Sequence, residues 1–521
     1  MRYLNLCAAI AIGSSIGSVE AFQTQFEAWP LETRIEGRLL IATELSNPSL
    51  IHSALGRLRG DERVRVLFFG HAAEHWHNDY SVVFSEQQLQ LEEFTRAAEF
   101  VANVQSAMQT DDVCCLHFLN AASDADRARI LKLNDALQTF VRNGKTLLVT
   151  GTLITDLKLL PDTLLQSSLQ FRDAHEFSRH LQRHSALVGL TVEPQTVVSL
   201  NQRRVRVFGE GSALFVVAGR EGTVFRQQSI AQQSSTRQPP NDYMIDLTQW
   251  RRMALDQTLP EFPGPDRQVP QVANGTLLIA GGGGLPSGLM EQMIELAGGP
   301  DEARLVYIPC SEEPQVPVRQ QIVTMWKSMG VKHATVVHTK DRRRAHVDED
   351  FLRPLKEATG IWFGGGRQWN FSDSYYGTTA QQLMHDVLKR GGVIGGSSAG
   401  ASIQADYLAR ATPIENLQIM APGYERGGLG FLCGVAIDQH FSERKRQSDM
   451  TALVNRYPAI LGIGIDETTA LVVQKSVARV IGEGNVYFYD RDRYAATDDP
   501  DYLMLSSGAA YDLAGRIVIE E

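Results

Sequence analysis

No apolar run of about 18 residues occurs beyond the N-terminus, so nothing in the body of the chain reads as a membrane-spanning helix. Cysteine is scarce, five in 521 residues, and no Cys-x-x-Cys pair is present, which removes the usual basis for a structural zinc site. Basic charge is not in excess: 50 Lys+Arg face 60 Asp+Glu for a net charge of -10, which argues against a nucleic-acid binder. No phosphate loop ending in Gly-Lys-Ser/Thr occurs. The four glycines Gly281–Gly284 follow an apolar run but lack the spacing of a dinucleotide loop. What is there is 43% hydrophobic and 21% charged, too apolar for a disordered chain. The length suits about two to four domains at roughly 150 residues each.

Arg2 precedes a short apolar run, LNLCAAIAIGSSIG, that ends near Val19-Glu20-Ala21 in the small-x-small pattern of a secretory cleavage site. Residues 1–21 are therefore expected to be a signal peptide and the mature protein to be exported, periplasmic or extracellular. A first strand or helix of the fold is the alternative. Cleavage would leave Cys114, Cys115, Cys310 and Cys433. Cys114 and Cys115 sit in the strand-like run DVCCLHFL, where buried thiols are expected rather than a bridge between them.

Short apolar runs alternate with amphipathic stretches along the chain. LLIA (277–280) leads through four glycines into LMEQMIELAG; LVYIP (305–309) precedes a helix expected around Val318–Met329 and the run ATVVHT. GIWFGGG is a further strand-to-loop transition, and TAQQLMHDVLKRGG a helix before the strand VIGGSS. This rhythm predicts an α/β fold with a parallel sheet and helices on both faces. Between Arg226 and Thr276 the stretches QQSSTRQPPND and LPEFPGPDRQVPQVANG read as a linker, assigned to 227–272, between domains at 22–226 and 273–521.

The two halves resemble each other. GRLLIA (37–42) matches GTLLIA (275–280), LNDALQTFVRNGKTLLVTG (133–151) parallels QQLMHDVLKRGGVIGGSS (381–398), and VRVFGEG (205–211) matches ARVIGEG (478–484). An internal duplication is expected.

The most informative segment is Gly395-Gly396-Ser397-Ser398-Ala399-Gly400-Ala401, between an apolar strand and a predicted helix, SIQADYLARA. Gly-x-Ser-x-Gly at a strand-to-helix turn is a nucleophile elbow: glycines permit the tight backbone, and the hydroxyl projects beside a helix N-terminus. Small-residue turns also serve close packing or phosphate binding. A serine needs a base to attack, and DQHF (438–441) supplies His440 while GIDET (464–468) supplies Glu467. Singly, such residues are more often a structural histidine and a solvated carboxylate. Together with the elbow they form a set of nucleophile, base and orienter.

The second half resembles the cyanophycinase family of serine peptidases, family S51, related to aspartyl dipeptidases (peptidase E). The matching stretches are GIWFGGGRQ, GGVIGGSSAGAS, GLGFLCGVAIDQHFSERKRQ and ILGIGIDETTALVV, over roughly 275–490. The resemblance implies a class I glutamine-amidotransferase-like (flavodoxin-like) fold, here in two copies. It implies Ser398 as nucleophile, His440 as general base, Glu467 as its orienter, and the amides of Gly366 and Ala399 as oxyanion hole. It also implies that Gln368, Gln439, Arg444 and Arg446 line a substrate pocket, the alternative for the arginines being an exposed basic helix start. The implied substrate is cyanophycin, a polyaspartate carrying arginine on each side chain, cut to β-aspartyl-arginine; another aspartyl peptide is the runner-up, and a non-catalytic binding protein the rival of a different class. No cofactor, metal, nucleic acid or membrane span is implied.

Two departures bear on the substrate. Family members carry Gly-Gly-Asp-Gln where this chain has Arg367 before Gln368, and an arginine a few residues past Arg446 is here Asp449. In the first half, alignment puts Gly151 at the position of Ser398, Pro194 at that of Glu467 and His175 at that of His440. That copy is expected to be inactive and to pack on the active one as an intramolecular pseudo-dimer. His71, His75, His77 and Asp79 could ligate a metal, although short histidine clusters in loops are common without one. Trp362, Trp369 and Phe371 are expected to pack under the oxyanion loop rather than to form a sugar platform.

Overall fold

A computed structural model describes residues 37–42, 49–55, 62–70, 80, 88–119, 123–151, 153, 157, 159, 163–167, 174–184, 186–231, 245–317, 320–414 and 417–520. These form two compact units that divide between Leu259 and Pro260. Residues 1–21 and the cluster His71, His75, His77 and Asp79 lie outside the described residues. Among the described residues no helix is long and apolar enough to cross a membrane, and no group of three or more metal-ligating side chains occurs.

The apolar runs of the first unit form twelve strands: β1 (Arg38–Ala42), β2 (Val64–Phe69), β3 (Leu89–Phe94), β4 (Val113–Phe118), β5 (Thr146–Gly151), β6 (Thr163–Ser167), β7 (Val188–Val192), β8 (Thr196–Asn201), β9 (Arg204–Gly209), β10 (Ser212–Ala218), β11 (Val224–Ala231) and β12 (Ile245–Asp246). One sheet has the order β3-β2-β4-β5-β1-β8-β9-β12, parallel from β3 to β1, and a second has the order β6-β7-β10-β11. Cys114 and Cys115 lie on β4 and are both buried, one facing each side of the sheet, as free thiols.

In the second unit the strands are β13 (Thr276–Ala280), β14 (Arg304–Ile308), β15 (His333–Val336), β16 (Gly360–Phe363), β17 (Val393–Ser397), β18 (Ala405–Tyr407), β19 (Leu432–Gln439), β20 (Leu461–Ile465), β21 (Thr469–Gln474), β22 (Val477–Gly482), β23 (Asn485–Tyr489), β24 (Leu503–Ser506), β25 (Ala510–Asp512) and β26 (Ile517–Ile519). Their sheets run β15-β14-β16-β17-β13-β21-β22-β25-β26 and β18-β19-β20-β23-β24. The large sheet is parallel from β15 to β13. Such strands are covered on both faces, which is why they read as unbroken apolar runs rather than alternating ones. Leu277 and Ile279 of β13 pack with Phe351, Leu355 and Met384 of the helices Glu349–Glu357 and Thr379–Lys389. Leu278 and Ala280 pack on the opposite face with Met290, Met293 and Trp326 of Leu289–Leu296 and Gln321–Ser328. Local chemistry sets the helix starts. Asp348 accepts hydrogen bonds from the amides of Asp350 and Phe351, and in the first unit Asp246 caps Leu247–Asp256 through the amide of Gln249.

Three sequence expectations change. The stretch 227–272 is not a linker along its length: β11 runs to Ala231, and Leu247–Asp256 is a helix of the first unit with eight buried residues. From Pro260 the chain belongs to the second unit, where Phe262 stacks on Tyr407 with centroids 6.3 Å apart. The helix expected over SIQADYLARA (402–411) does not form: a single turn, Ala399–Ser402, ends where that segment begins, and β18 follows within it. Residues 399–412 are all buried, so this segment has no solvent face for a surface helix, and β18 pairs instead with β19. The histidine correspondence also fails. Parallel pairing matches Ile465 with Gln439 in one unit and Val192 with Ser167 in the other, so the position of His440 falls one residue past β6, whereas His175 is an exposed residue of the helix Ala174–Leu181.

One buried histidine gives the second unit's stability a contribution that acid removes. His385 lies against Phe431 and its Nε2 bonds the Leu429 carbonyl at 2.8 Å. Burial pulls its pKa down to about 4, with the carbonyl opposing. A neutral ring in the folded state and a titrating one in the unfolded chain give stability that is complete above pH 6.5 and lost as pH falls towards 4. The loss is on the order of 3 kcal/mol. Urea unfolding at pH 7 and pH 4.5 is expected to show a larger acid loss for the wild type than for His385→Gln; equal losses would refute it.

Candidate active site

Ser398 follows the last residue of β17 with φ 56° and ψ -114°, a backbone conformation costing on the order of 1–3 kcal/mol for a residue with a side chain. Its amide bonds the Ala280 carbonyl on β13 at 3.0 Å, and its carbonyl receives the amides of Ala401 and Ser402, which starts the helical turn. The glycine two residues on is sterically required: a Cβ at Gly400 would lie 2.1 Å from the Phe363 carbonyl oxygen. The elbow thus exists because three adjacent strands, β13, β16 and β17, close around it.

His440 comes directly after β19, with φ 50°, and its amide bonds the Gly281 carbonyl. Its Nε2 is 2.9 Å from Ser398 Oγ and its Nδ1 is 2.5 Å from Glu467 Oε1. Glu467 lies two residues past β20, its side chain 36% exposed against 10% for His440. Glu443, in the loop after His440, accepts the Glu467 amide at 3.1 Å. An imidazole between a hydroxyl and a carboxylate can take the hydroxyl proton while the carboxylate holds the tautomer and stabilises the cation that forms. Sequence reasoning placed these three residues in one set, and the structure brings their side chains into contact.

Two supports were not legible as such. Asp466, buried, accepts the Ser442 amide at 2.9 Å through Oδ1, and the Asn485 amide and Tyr487 hydroxyl through Oδ2, so it ties the His440 loop to the Glu467 turn. The glycine run after β13, weighed above only as a nucleotide loop, backs the histidine and glutamate. A Cβ at Gly282 would lie 2.3 Å from His440 Cε1, and one at Gly283 would lie 2.2 Å from Glu467 Oε2.

Across from the elbow runs the loop Gly364–Arg367. A Cβ on Gly365 would sit 3.6 Å from that of Ser398, which places this backbone beside the hydroxyl. The Gly364 amide bonds the Ile308 carbonyl, and the Cys310 thiol donates to the Arg367 carbonyl at 2.8 Å. Burial pushes this thiol up to about 12, so it stays protonated and is no competing nucleophile at neutral pH. Trp362, Trp369 and Phe371 are all buried, with no face available to a sugar.

The pocket residues divide. Gln368 is buried with its amide on the Ala409 carbonyl at 2.6 Å. Gln439 and Arg446 are buried against each other, Arg446 Nη1 reaching the Gln439 carbonyl at 2.6 Å and Asp438 at 2.8 Å. Arg444 and Arg367 are exposed. Asp449 accepts from Arg410 Nη2 at 2.7 Å. In the first unit, strand register puts Gly151 at the position of Ser398 and Pro194 at that of Glu467. There His117 is a core residue, its ring nitrogens bonded to the Tyr80 and Thr150 hydroxyls, and burial draws its pKa down to about 3.

Gly282→Ala is expected to lower kcat/KM by at least about 100-fold, because the imidazole must move by an ångström or more. Gly264→Ala, where nothing lies within 4 Å, serves as the control with unchanged activity. Equal activity of the two variants would show that the glycine run does not constrain the imidazole.

Residues 277–481 match the family model described as peptidase family S51. A cyanophycinase from Geminocystis herdmanii is 30% identical over 217 residues, 40% of this chain and 77% of that protein. One from Synechococcus elongatus is 31% identical over 245 residues, 43% of this chain and 74% of that protein. Among solved structures, a peptidase from an acI-B1 actinobacterium aligns with a TM-score of 0.34 at 23% identity, covering 46% of this chain and 97% of that one. With the Geminocystis herdmanii relative 30% identical and covered over three quarters of its length, and with serine, histidine and glutamate in contact at the strand ends, the chain belongs to peptidase family S51 and is a serine-type peptidase.

Proposed function

We propose that the protein is an exopeptidase that hydrolyses cyanophycin to β-aspartyl-arginine, with Ser398, His440 and Glu467 as its catalytic triad. The observation that carries this reading is the continuous contact from Ser398 Oγ through the imidazole to Glu467 Oε1, at 2.9 and 2.5 Å. In the proposed reaction Ser398 Oγ attacks the peptide carbonyl carbon as His440 Nε2 takes its proton. The amides of Gly366 and Ala399 stabilise the oxyanion, each such donor being worth about 3–4 kcal/mol. The imidazolium returns the proton to the leaving amine, and a water activated in the same way releases the acyl group. Glu467 accepts the hydrogen bond from Nδ1 and so holds the ring in one tautomer and orientation.

A second reading, an aspartyl dipeptidase or related amide hydrolase, is favoured by the pocket. Gln368, Gln439 and Arg446 are already hydrogen-bonded within the protein, and Asp449 brings a negative charge where family members carry an arginine. Retention of all three triad residues speaks against a purely binding role. The matching strand orders of the two units support an internal duplication whose first copy, with Gly151 and Pro194, has no nucleophile or orienter. Export, read from residues 1–21, would suit an external polymer.

Incubation with insoluble cyanophycin, followed by mass spectrometry, is expected to show β-aspartyl-arginine released by the wild type. Release by Ser398→Ala should fall at least about 10⁴-fold. No release, with a fluorophosphonate still labelling Ser398, would select the second reading. No release and no labelling would overturn the triad.

A further inference from the structure

The loop that carries His440, residues 440–446, is short and strained: His440 has φ 50° and Lys445 φ 53°. Such a loop holds an imbalanced backbone only if its two ends are fixed from outside. One side chain reaches both ends. Arg410, buried at 5% exposure, lies three residues past β18. Its Nε donates to both carboxylate oxygens of Asp438, at 2.9 and 2.8 Å, two residues before His440. Its Nη2 donates at 2.7 Å to Asp449, in the first turn of the helix Gln447–Arg456 that follows the loop. Its Nη1 anchors on the Leu417 carbonyl at 2.8 Å.

Asp438, with no exposure, also accepts from Arg446 Nη1 and from the Gln439 amide. Two guanidinium groups and two carboxylates are therefore gathered around the loop, and their charges cancel. The planar fork of arginine suits this task, because its donors point in fixed directions that a lysine cannot reproduce.

We infer that Arg410 is a positioning residue for His440, clamping both ends of the loop through Asp438 and Asp449, and that Asp449 is its counter-ion rather than a substrate ligand. This goes beyond the proposed hydrolysis and rests on it for the role of His440. It also accounts for Asp449 at a position where family members carry an arginine: a cation there would stand against Arg410.

The half-exposed Asp449 gives the gentler test. Asp449→Asn is expected to lower kcat about 10-fold with KM within about twofold, since a displaced catalytic group loses rate rather than affinity. Asp449→Glu should recover most of the loss. The second-order rate of Ser398 phosphonylation by a fluorophosphonate, which needs His440 but no particular substrate, should fall by the same factor. Arg410→Lys should lower both rates at least as much, and adding Asp449→Asn to it should cause little further loss. A rise in KM at unchanged kcat would make Asp449 a substrate ligand and overturn the inference. So would a phosphonylation rate equal to that of the wild type. A wild type that is not phosphonylated at all would instead refute the reading of Ser398, and the inference with it.

Discussion

The backbone turn at Ser398 is the constraint on which the rest of the second unit's proposed chemistry depends. A side chain at φ 56° is unfavourable in isolation, so the conformation persists only because its surroundings leave no other. The amide is held by Ala280 on β13, and Gly400 has closed to contact with Phe363 on β16. These contacts come from parallel pairing in the middle of a sheet covered on both faces. The hydroxyl therefore emerges at the strand ends with little freedom, where a loop from a different sheet brings the imidazole.

That second loop lies outside any strand ladder and takes its support from side chains. Asp466 binds it from the side of Glu467, and Arg410 with Asp438 and Asp449 from the other. Gly282 and Gly283 are flat against the imidazole and the carboxylate, leaving no room for either to retreat. Rigid strands thus set the serine, while buried ionic and amide contacts set the histidine and glutamate. The two devices differ because a strand end is positioned by its ladder, whereas a connecting loop must borrow partners from elsewhere.

The first unit has a similar strand order, in sheets of eight and four strands against nine and five. Gly151, which strand register places where Ser398 lies in the second unit, also has a positive φ, 97°. Glu193, beside Pro194, accepts the Ser212 amide at 2.6 Å much as Asp466 accepts that of Asn485. Contacts that hold strands together are thus present in both units, while among the described residues a serine, histidine and glutamate in mutual contact occur in the second alone.

Much was determined by the sequence itself. Apolar runs of four to six residues between amphipathic stretches specify a parallel sheet, since such strands must be apolar on both faces. The elbow, DQHF and GIDE segments named the three residues that meet, because those residue types at strand ends have few other uses together. What tertiary structure alone decided was which polar groups remain available. Gln368, Gln439 and Arg446 read as pocket residues, yet each is buried on a partner 7 to 41 residues away, and Arg410, which no motif marked, reaches Asp438 and Asp449. The helix foreseen over 402–411 does not form because residues 399–412 are enclosed on every side. Local pattern carries period and turn chemistry; the partner of a buried charge, and the burial that demands one, come from segments far apart in the chain.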